Sequence, residues 1–277
     1  MELLFLQTGS EEMLKLSLSG RLIGVQSNVS EMSMPQFLRF AQAYGYEAVE
    51  LRAIQIPAGI TQTEVARFRR IADELGLNIS CCTPPDITSD EAGLEQLERF
   101  TDLTQILGCD TLKVWIGDTD WLHDACELVK SHGLILITQI HTGGPFETIG
   151  SCLETLAQLG QENFGLQYDA ANLFEAQQDY GEEAVKRLGT HIRQLSVQNI
   201  RLARPDEPNA WEHEGRNYCR CLLGDPNGLN YESVFRGLQA IGFDDYVTLN
   251  EPKPTLMDTK PFAKLMHDEL RRLLCSS

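Results

Sequence analysis

The chain has 277 residues, and its 40 Asp and Glu against 23 Lys and Arg give a formal net charge of −17. A chain this acidic repels a phosphate backbone, so the composition excludes nucleic acid as the expected partner. Hydrophobic residues make up 42% and charged residues 23%, which excludes disordered and fibrous proteins and leaves a globular chain of one large α/β barrel or two ordinary domains.

The apolar runs are all too short to cross a membrane. The nearest candidate, residues 134–137, is broken by Thr138 and Gln139, whereas a membrane span needs roughly 18 apolar residues. The first residues, MELLFLQTGSEEM, carry an acid at position 2 and lack the basic region of a secretory signal. We therefore expect a cytoplasmic protein with no membrane partner. Residues 1–20 are predicted to be an N-terminal extension, and residues 21–277 the folded domain.

The predicted folded region opens with the run RLIGVQSNV at residues 21–29, which predicts the first β-strand. After it, a helical stretch that ends in glycine and leads into an apolar, strand-length run recurs along the chain. The glycines lie 25 to 32 residues apart, with one last step of 53, and each is placed to end a helix. They are Gly45, Gly76, Gly108, Gly133, Gly160, Gly189 and Gly242.

Three helix starts carry capping-box patterns, in which Ser or Thr is followed three residues later by Gln or Glu. They are Ser33 with Gln36, Thr61 with Glu64, and Thr88 with Glu91. Eight strands that alternate with helices predict a parallel sheet closed into a single-domain (β/α)8 TIM barrel. An open doubly wound sheet is the alternative, but no GxGxxG motif follows the first predicted strand.

Four segments carry a resemblance to a known family: GYEAVELR at 45–52, LGCDTLKVW at 107–115, GLILITQIHTGG at 133–144, and the closing run at 224–252. Their order and sequence resemble the xylose isomerase-like TIM-barrel family, which includes sugar and sugar-phosphate isomerases and epimerases. The resemblance covers about residues 21–270. It implies a ligand site at the carboxyl ends of the barrel strands.

The resemblance also implies a metal site, from which this chain departs. Family members typically hold one divalent ion with Glu, Asp, His and Glu on strands five to eight, a ligand set suited to Mn²⁺, Mg²⁺ or Co²⁺. The matching positions here are Gln139, Asp169, Ser196 and Asn250. Only Asp169 is kept, so we predict no metal cofactor and regard Mn²⁺, Mg²⁺ and Co²⁺ as disfavoured. A site rebuilt from His141, Asp169 and Glu251 is an alternative that requires strand eight to shift by one residue.

Residues at i and i+2 of a barrel strand face the same side, which predicts the lining of the mouth. Amides and hydroxyls dominate this lining, and such groups suit the hydroxyls of a sugar or polyol. The predicted substrate-binding residues are Arg52, Lys113, Trp115, Gln139, Asn172, Ser196, Gln198, Asn250 and Glu251.

Glu50, His141 and Asp169 are the predicted catalytic residues. Glu50 or Asp169 would remove a proton beside a carbonyl, and His141 would act as the acid. Each has a structural alternative: Glu50 an ion pair with Arg52 or Lys113, Asp169 a cap for the following loop, and His141 a loop contact. Lys113 could serve as a Schiff-base nucleophile, although pairing with Glu50 is the favoured interpretation.

Residues 200–229 form the longest connection and carry four arginines: Arg201, Arg204, Arg216 and Arg220. We predict either a lid or phosphate clamp, or else a solvated loop or homodimer contact. The sequence therefore indicates a sugar or polyol isomerase/epimerase-like protein with a degenerate metal site and metal-independent proton transfer. Its expected partner is a small sugar, polyol or sugar phosphate. The alternative is a non-catalytic carbohydrate-binding or regulatory protein of the same fold.

Overall fold

Eight parallel strands close into a barrel at the centre of the computed structural model, which describes residues 14–26, 29–116, 119–255 and 257–276. This confirms the predicted single-domain TIM barrel. Around the barrel the strands follow the order β1-β13-β9-β8-β7-β6-β5-β4. Their bounds are Lys15–Ser19 (β1), Ala48–Leu51 (β4), Asn78–Cys82 (β5), Thr111–Lys113 (β6), Ile135–Gln139 (β7), Phe164–Asp169 (β8), Ile192–Val197 (β9) and Tyr246–Leu249 (β13).

Helices cover the outside of the barrel and bury the outward-facing side chains of the strands. The helices are Met34–Ala43 (α1), Gln62–Glu74 (α2), Glu91–Ile106 (α3), Leu122–Ser131 (α4), Ile149–Leu159 (α5), Ala170–Glu175 (α6), Glu182–Leu188 (α7), Tyr231–Ala240 (α8) and Thr259–Ser276 (α9). Short 3-10 turns lie at Gly20–Ile23 and Gly189–His191. Within the described residues, no helix has the length and apolar character that crossing a membrane requires.

The first barrel strand corrects the sequence prediction. It is Lys15–Ser19, inside the predicted N-terminal extension, and it pairs with both β4 and β13. The predicted strand at 21–29 is wrong: residues 20–23 form a 3-10 turn, and a two-stranded hairpin of Gly24–Gln26 (β2) and Val29–Ser30 (β3) follows. The barrel therefore begins before the predicted boundary at residue 21. Residues 1–13 of the predicted extension lie outside the described residues.

All seven predicted helix-ending glycines have positive φ, which confirms the periodic pattern that located the helices. Gly45, for example, has φ +88°, and a Cβ there would lie 2.9 Å from Nε2 of His267. Any other residue would therefore be both strained and crowded at this position.

Two of the three predicted capping boxes are confirmed. Thr61 and Glu64 bond reciprocally at the start of α2, and the Ser33 N–H donates to Gln36 at the start of α1. The third is wrong, because Asp90 caps α3 by accepting from the Gly93 N–H at 2.9 Å. Aspartate is among the strongest N-cap residues, and it displaces the start of the helix from the predicted Thr88.

The inside of the barrel is polar. Ser17 bonds Ser80 at 2.7 Å, and Gln194 donates to the Ser80 carbonyl at 2.6 Å. Gln167 reaches across the barrel and donates to Glu50 at 2.9 Å. These buried groups satisfy one another, as polar groups removed from water must. The network forms a floor below the carboxyl ends of the strands.

Residues 200–229 fold into a three-stranded antiparallel sheet instead of a loop. Its strands are Ile200–Leu202 (β10), Trp211–His213 (β11) and Arg216–Arg220 (β12), in the order β10-β12-β11. The sheet packs against α6, because Tyr218 Oη donates to the Glu175 carbonyl and Trp211 Nε1 to the Glu175 carboxylate. It therefore forms a fixed wall beside the mouth of the barrel.

Candidate functional site

The four positions that match the family's metal ligands converge at the carboxyl ends of their strands. Gln139 Nε2 donates to Asp169 Oδ2 at 2.6 Å, and Ser196 Oγ donates to the same oxygen at 2.7 Å. Asn250 Nδ2 donates to Ser196 Oγ at 3.0 Å. All four side chains are buried. The predicted registers of β7, β8, β9 and β13 therefore bring together the side chains that the sequence analysis grouped.

Asp169 is saturated with hydrogen bonds. Its Oδ1 accepts from the backbone N–H groups of Ala171 and Asn172 at 3.0 Å each, which caps α6. Its Oδ2 accepts a third donor, Gln198 Nε2, at 2.8 Å besides Gln139 and Ser196. Burial raises the pKa of Asp169, while these hydrogen bonds oppose the rise. The five donors make Asp169 the common acceptor of this hydrogen-bond network. Both of its oxygens are occupied by these donors, so neither is free to accept a proton from a substrate.

This donor set does not fit a hard divalent ion. Such an ion requires several oxygen lone pairs aimed at one point, preferably from carboxylates. Here the N–H group of Gln139 and the O–H group of Ser196 point at the one carboxylate, where a cation would otherwise stand. Asn250 Oδ1 is buried without a hydrogen-bond partner, but a single neutral amide oxygen cannot complete a coordination shell.

The rebuilt site of His141, Asp169 and Glu251 is not assembled. Glu251 Oε1 accepts from the Asn199 N–H at 2.6 Å, and its Oε2 pairs with Arg220 at 3.0 Å. Burial raises the pKa of Glu251, and Arg220 opposes the rise. Across the described ranges, one group of three His, Cys, Asp or Glu residues has ligand atoms within 4.8 Å of one another, and it contains none of these three residues: Glu147, His213 and Glu214.

Glu50 forms the ion pair that the sequence favoured. Lys113 Nζ lies 3.1 Å from Glu50 Oε2, and Arg52 Nη1 lies 3.3 Å from Glu50 Oε1. Burial alone would raise the pKa of Glu50, but the two cations and a hydrogen bond from Gln167 outweigh it and lower the pKa to about 2. Glu50 is therefore a weak base. Lys113 Nζ also donates to Gln167 at 2.9 Å, so the amine is held in the barrel floor.

His141 and Trp115 lie together at the mouth. Their rings meet edge to face with centroids 4.5 Å apart, and the Trp115 side chain is 51% exposed. His141 Nδ1 lies 3.0 Å from the Thr142 carbonyl oxygen, which can only accept a hydrogen bond. In the tautomer that makes this hydrogen bond, Nδ1 carries the proton and Nε2 keeps the lone pair.

Two guanidinium groups meet on Gln198. Arg21 Nη1 and Arg220 Nη1 each donate to Gln198 Oε1 at 3.1 Å, while Gln198 Nε2 faces Asp169. Arg21 was missed by the sequence analysis because the strand before it was missed. The alternation of Ser17 and Ser19 along β1 continues to Arg21, so recognising that strand would have placed Arg21 at the mouth.

Of the four arginines in residues 200–229, only Arg220 lines the mouth cavity. Arg201 pairs with Glu207 at 2.5 Å and with Asp225 at 3.6 Å, so its charge is compensated. Arg204 lines a separate cavity, and Arg216 is exposed. Of these four arginines, Arg220 is therefore the one placed to take part in the predicted phosphate clamp.

A cavity of about 310 Å³ opens above the Asp169 network. This volume is near the lower end of the range for small-molecule sites. Its wall combines guanidinium, amide and aromatic groups. The lining residues are Arg21, Arg52, Trp115, Gln139, His141, Thr142, Ala171, Asn172, Glu175, Gln198, Ile200, Trp211 and Arg220. Six of the predicted site residues lie behind this wall: Glu50, Lys113, Asp169, Ser196, Asn250 and Glu251.

Comparisons with known proteins agree with the fold. The family model of the xylose isomerase-like TIM barrel matches residues 38–273. No curated protein sequence was found to match the chain. Among solved structures, the probable 3-DHS dehydratase of Bacillus anthracis is 19% identical with a TM-score of 0.73, covering 93% of this chain and 99% of that one.

Two further structures illustrate ligands within this fold. A xylose isomerase-like TIM-barrel protein from Mycobacterium smegmatis in complex with magnesium is 13% identical with a TM-score of 0.72, covering 95% and 97% of the two chains. The D-allulose 3-epimerase of Methylomonas sp. in complex with D-allulose is 14% identical with a TM-score of 0.71, covering 94% and 97%. Identities this low show a common fold and no more.

Proposed function

Because the chain belongs to the xylose isomerase-like TIM-barrel family, we propose that its barrel mouth binds a small polyhydroxylated molecule, a sugar, polyol or sugar phosphate, without a resident divalent ion. The observation that carries this proposal is the cavity of about 310 Å³ at the carboxyl ends of the strands. It stands where barrels of this class bind their ligands.

The cavity wall offers what a sugar needs. Gln139, Asn172 and Gln198 line it with amides, which can both donate to and accept from hydroxyl groups. Trp115 exposes an apolar face on which the C–H groups of a sugar ring can pack. The D-allulose bound by the structural neighbour supports a sugar as the ligand class.

Metal-independent binding is supported by the Asp169 network. In a metal site the ion would compensate the buried carboxylate, whereas here five hydrogen-bond donors do so. A divalent ion would have to displace at least the Gln139 and Ser196 donors, and it would gain only one carboxylate in return. The loss of those hydrogen bonds opposes metal binding.

Isomerase/epimerase-type proton transfer is a second candidate, favoured by the position of His141. With Glu50 paired and Asp169 saturated, two acid–base side chains remain on the cavity wall: His141, and Glu175, whose Oε1 accepts from Trp211 Nε1 at 2.8 Å. His141 offers the lone pair at Nε2 in the tautomer that bonds Thr142. His141 would take the proton from the carbon beside a carbonyl and return it to the neighbouring carbon on the same face, while the hydroxyl proton passes between the two oxygens, so that an aldose and a ketose interconvert. Guanidinium and amide donors would stabilise the enediolate between these steps.

Trp115→Ala tests the proposed binding site. We expect one or more of a panel of ketoses, polyols, sugar phosphates and sugar acids to raise the melting temperature of the wild type, with a stabilisation of about 2.7 kcal/mol at 100 times Kd. Removing the indole face should lower the affinity for that ligand about tenfold. The stability of the ligand-free protein should change little, because Trp115 is 51% exposed. Differential scanning fluorimetry and calorimetric titration measure both effects.

Leu265→Ala is the matched control, since Leu265 is also an exposed apolar residue, 42% accessible, and lies on α9 away from the mouth. Its ligand affinity should equal that of the wild type. A panel that leaves the wild-type melting curve unmoved contradicts the proposal, and so does equal binding by Trp115→Ala.

Replacing His141 by asparagine tests the second candidate. In D₂O, the wild type should exchange the C–H proton beside the carbonyl of the bound sugar, seen as loss of that proton signal by NMR. His141→Asn should lower the exchange rate by at least about 100-fold, the usual contribution of a general base, while binding is retained. If the wild type shows no exchange, the proposal of proton transfer is contradicted, and the proposal of sugar binding is unaffected.

A further inference from the structure

Arg21 is fixed at the mouth by residues that follow β13 and β9, the next two strands around the barrel from β1. It lies on the 3-10 turn that follows β1, and its Nη1 donates to Gln198 Oε1 at 3.1 Å and to the Asn250 carbonyl at 3.0 Å. Both acceptors are uncharged. The guanidinium carries five N–H groups, and in the described part of the chain only those on Nη1 have partners. The remaining donors belong to a side chain that lines the cavity.

The charge of Arg21 lacks a close counter-charge. The other two arginines of the cavity lining each have a carboxylate within 4.0 Å: Arg52 pairs with Glu50, and Arg220 pairs with Glu251. Among the described residues Arg21 has none. Burial, and repulsion from Arg220 and Arg52, lower the pKa of Arg21 to about 10, so it stays protonated at neutral pH but in unfavourable surroundings.

Two guanidinium groups are also held against each other. Arg21 and Arg220 both donate to the single oxygen Gln198 Oε1, so their positive charges lie within a few ångströms of each other. Like charges at that separation repel unless an anion lies between them or beside them. The attraction from Glu251 and Asp169 is weaker than the repulsion from Arg220 and Arg52, so it offsets only part of that repulsion.

We propose that Arg21 binds an anionic oxygen group, a carboxylate or phosphate, on the ligand, so that the molecule held in the mouth is a sugar acid or sugar phosphate and not a neutral sugar. This inference rests on the proposed function and specifies its ligand class. Arg21 provides a fixed cation one amide away from Asp169, the residue that would hold the metal in the family pattern. A planar guanidinium with free N–H groups suits the two or three oxygens of such an anion.

The test compares a neutral sugar with two anionic ones of similar size: D-fructose, fructose 6-phosphate and gluconate. Calorimetric titration of the wild type should show at least one anion bound about tenfold or more tightly than D-fructose, with an advantage that falls as salt rises. The better of the two anions identifies the group as phosphate or carboxylate. Arg21→Gln should reduce the preference to about twofold or less, because the anions lose more affinity than D-fructose does.

Arg216→Gln is the matched control, because Arg216 is exposed on β12 and lies outside the cavity lining. It should keep the full preference. If Arg21→Gln does not fold, Arg21→Lys provides the second variant: it keeps the charge but loses the forked geometry, and an intermediate preference is expected. Equal binding of all three ligands by the wild type, or a preference that survives in Arg21→Gln, overturns the inference and leaves sugar binding intact. If no ligand binds, both proposals fail.

Discussion

Lys113→Met is expected to lower the free energy of unfolding by about 3 kcal/mol, because it leaves the carboxylate of Glu50 in the barrel floor without its closest cation. Glu50 has no exposed surface, and the side chain of Lys113 is 4% exposed. The partner that remains, Arg52, is 30% exposed and lies at 3.3 Å. Urea unfolding at pH 7, with Lys113→Met, Glu50→Gln and the double variant, forms a cycle that measures the coupling.

The double variant should lose less than the sum of the two single variants, by about 2 kcal/mol or more, because it removes both charges together. Lys130→Met is the matched control. Lys130 lies 3.7 Å from Glu127, and both side chains are more than half exposed. Lys130→Met should therefore change the free energy of unfolding by no more than about 0.5 kcal/mol. Additive losses in the cycle would contradict a coupled pair.

The ion pair of Glu50 and Lys113 makes the free energy of unfolding depend on pH. The folded-state pKa of Glu50, about 2, lies below the unfolded value near 4.3. The pair therefore stabilises the fold fully above pH 4.3, and this contribution is lost as pH falls toward 2. In Lys113→Met, the pKa of Glu50 should rise, since its principal cation is gone. The cost of that substitution is then expected to shrink as the pH is lowered.

The barrel was predictable from the sequence because the residues that end its helices are recognisable locally. Each of the seven glycines ends a helix at positive φ, and that geometry is available to glycine with little penalty whatever surrounds it. The first strand was not found because its inward positions hold Ser17 and Ser19 and its outward positions Leu16 and Leu18. Five residues of that alternation resemble an exposed segment unless the polar interior of the barrel is known.

The position of the candidate site was predictable from the sequence, but the hydrogen bonds and ion pairs of its residues were not. The family resemblance placed Gln139, Asp169, Ser196 and Asn250 together, and their hydrogen bonds show that they meet. Spacing along a strand cannot show that five donors would converge on Asp169. The roles of Gln198 and Glu251 likewise depend on contacts with Arg21 and Arg220, which lie 177 and 31 residues away in sequence. Such contacts arise only when the barrel closes.

The triple variant Gln139→Glu, Ser196→His, Asn250→Glu is expected to turn the hydrogen-bond network into a divalent-metal site. The three substituted side chains already lie within hydrogen-bond distance of Asp169 or of each other. Without metal, the two introduced carboxylates and Asp169 repel one another. Repulsion and the lost donors should destabilise the metal-free variant by about 2 to 4 kcal/mol and raise one carboxyl pKa.

Mn²⁺ should reverse this loss, because an ion that binds only the folded state stabilises it by about 2.7 kcal/mol at 100 times Kd. Thermal unfolding with and without Mn²⁺, together with elemental analysis, measures the effect.

The wild type is the first control: it should contain no stoichiometric ion, and Mn²⁺ should not change its thermal unfolding. Adding Asp169→Ala to the triple variant is the second control and should abolish its response, because the central ligand is gone. A triple variant that keeps wild-type stability and ignores Mn²⁺ would show that these side chains do not converge. About one ion per wild-type chain, lost in Asp169→Ala, would instead show that the amides and the serine are sufficient ligands and that the hydrogen-bond network gives way to a metal.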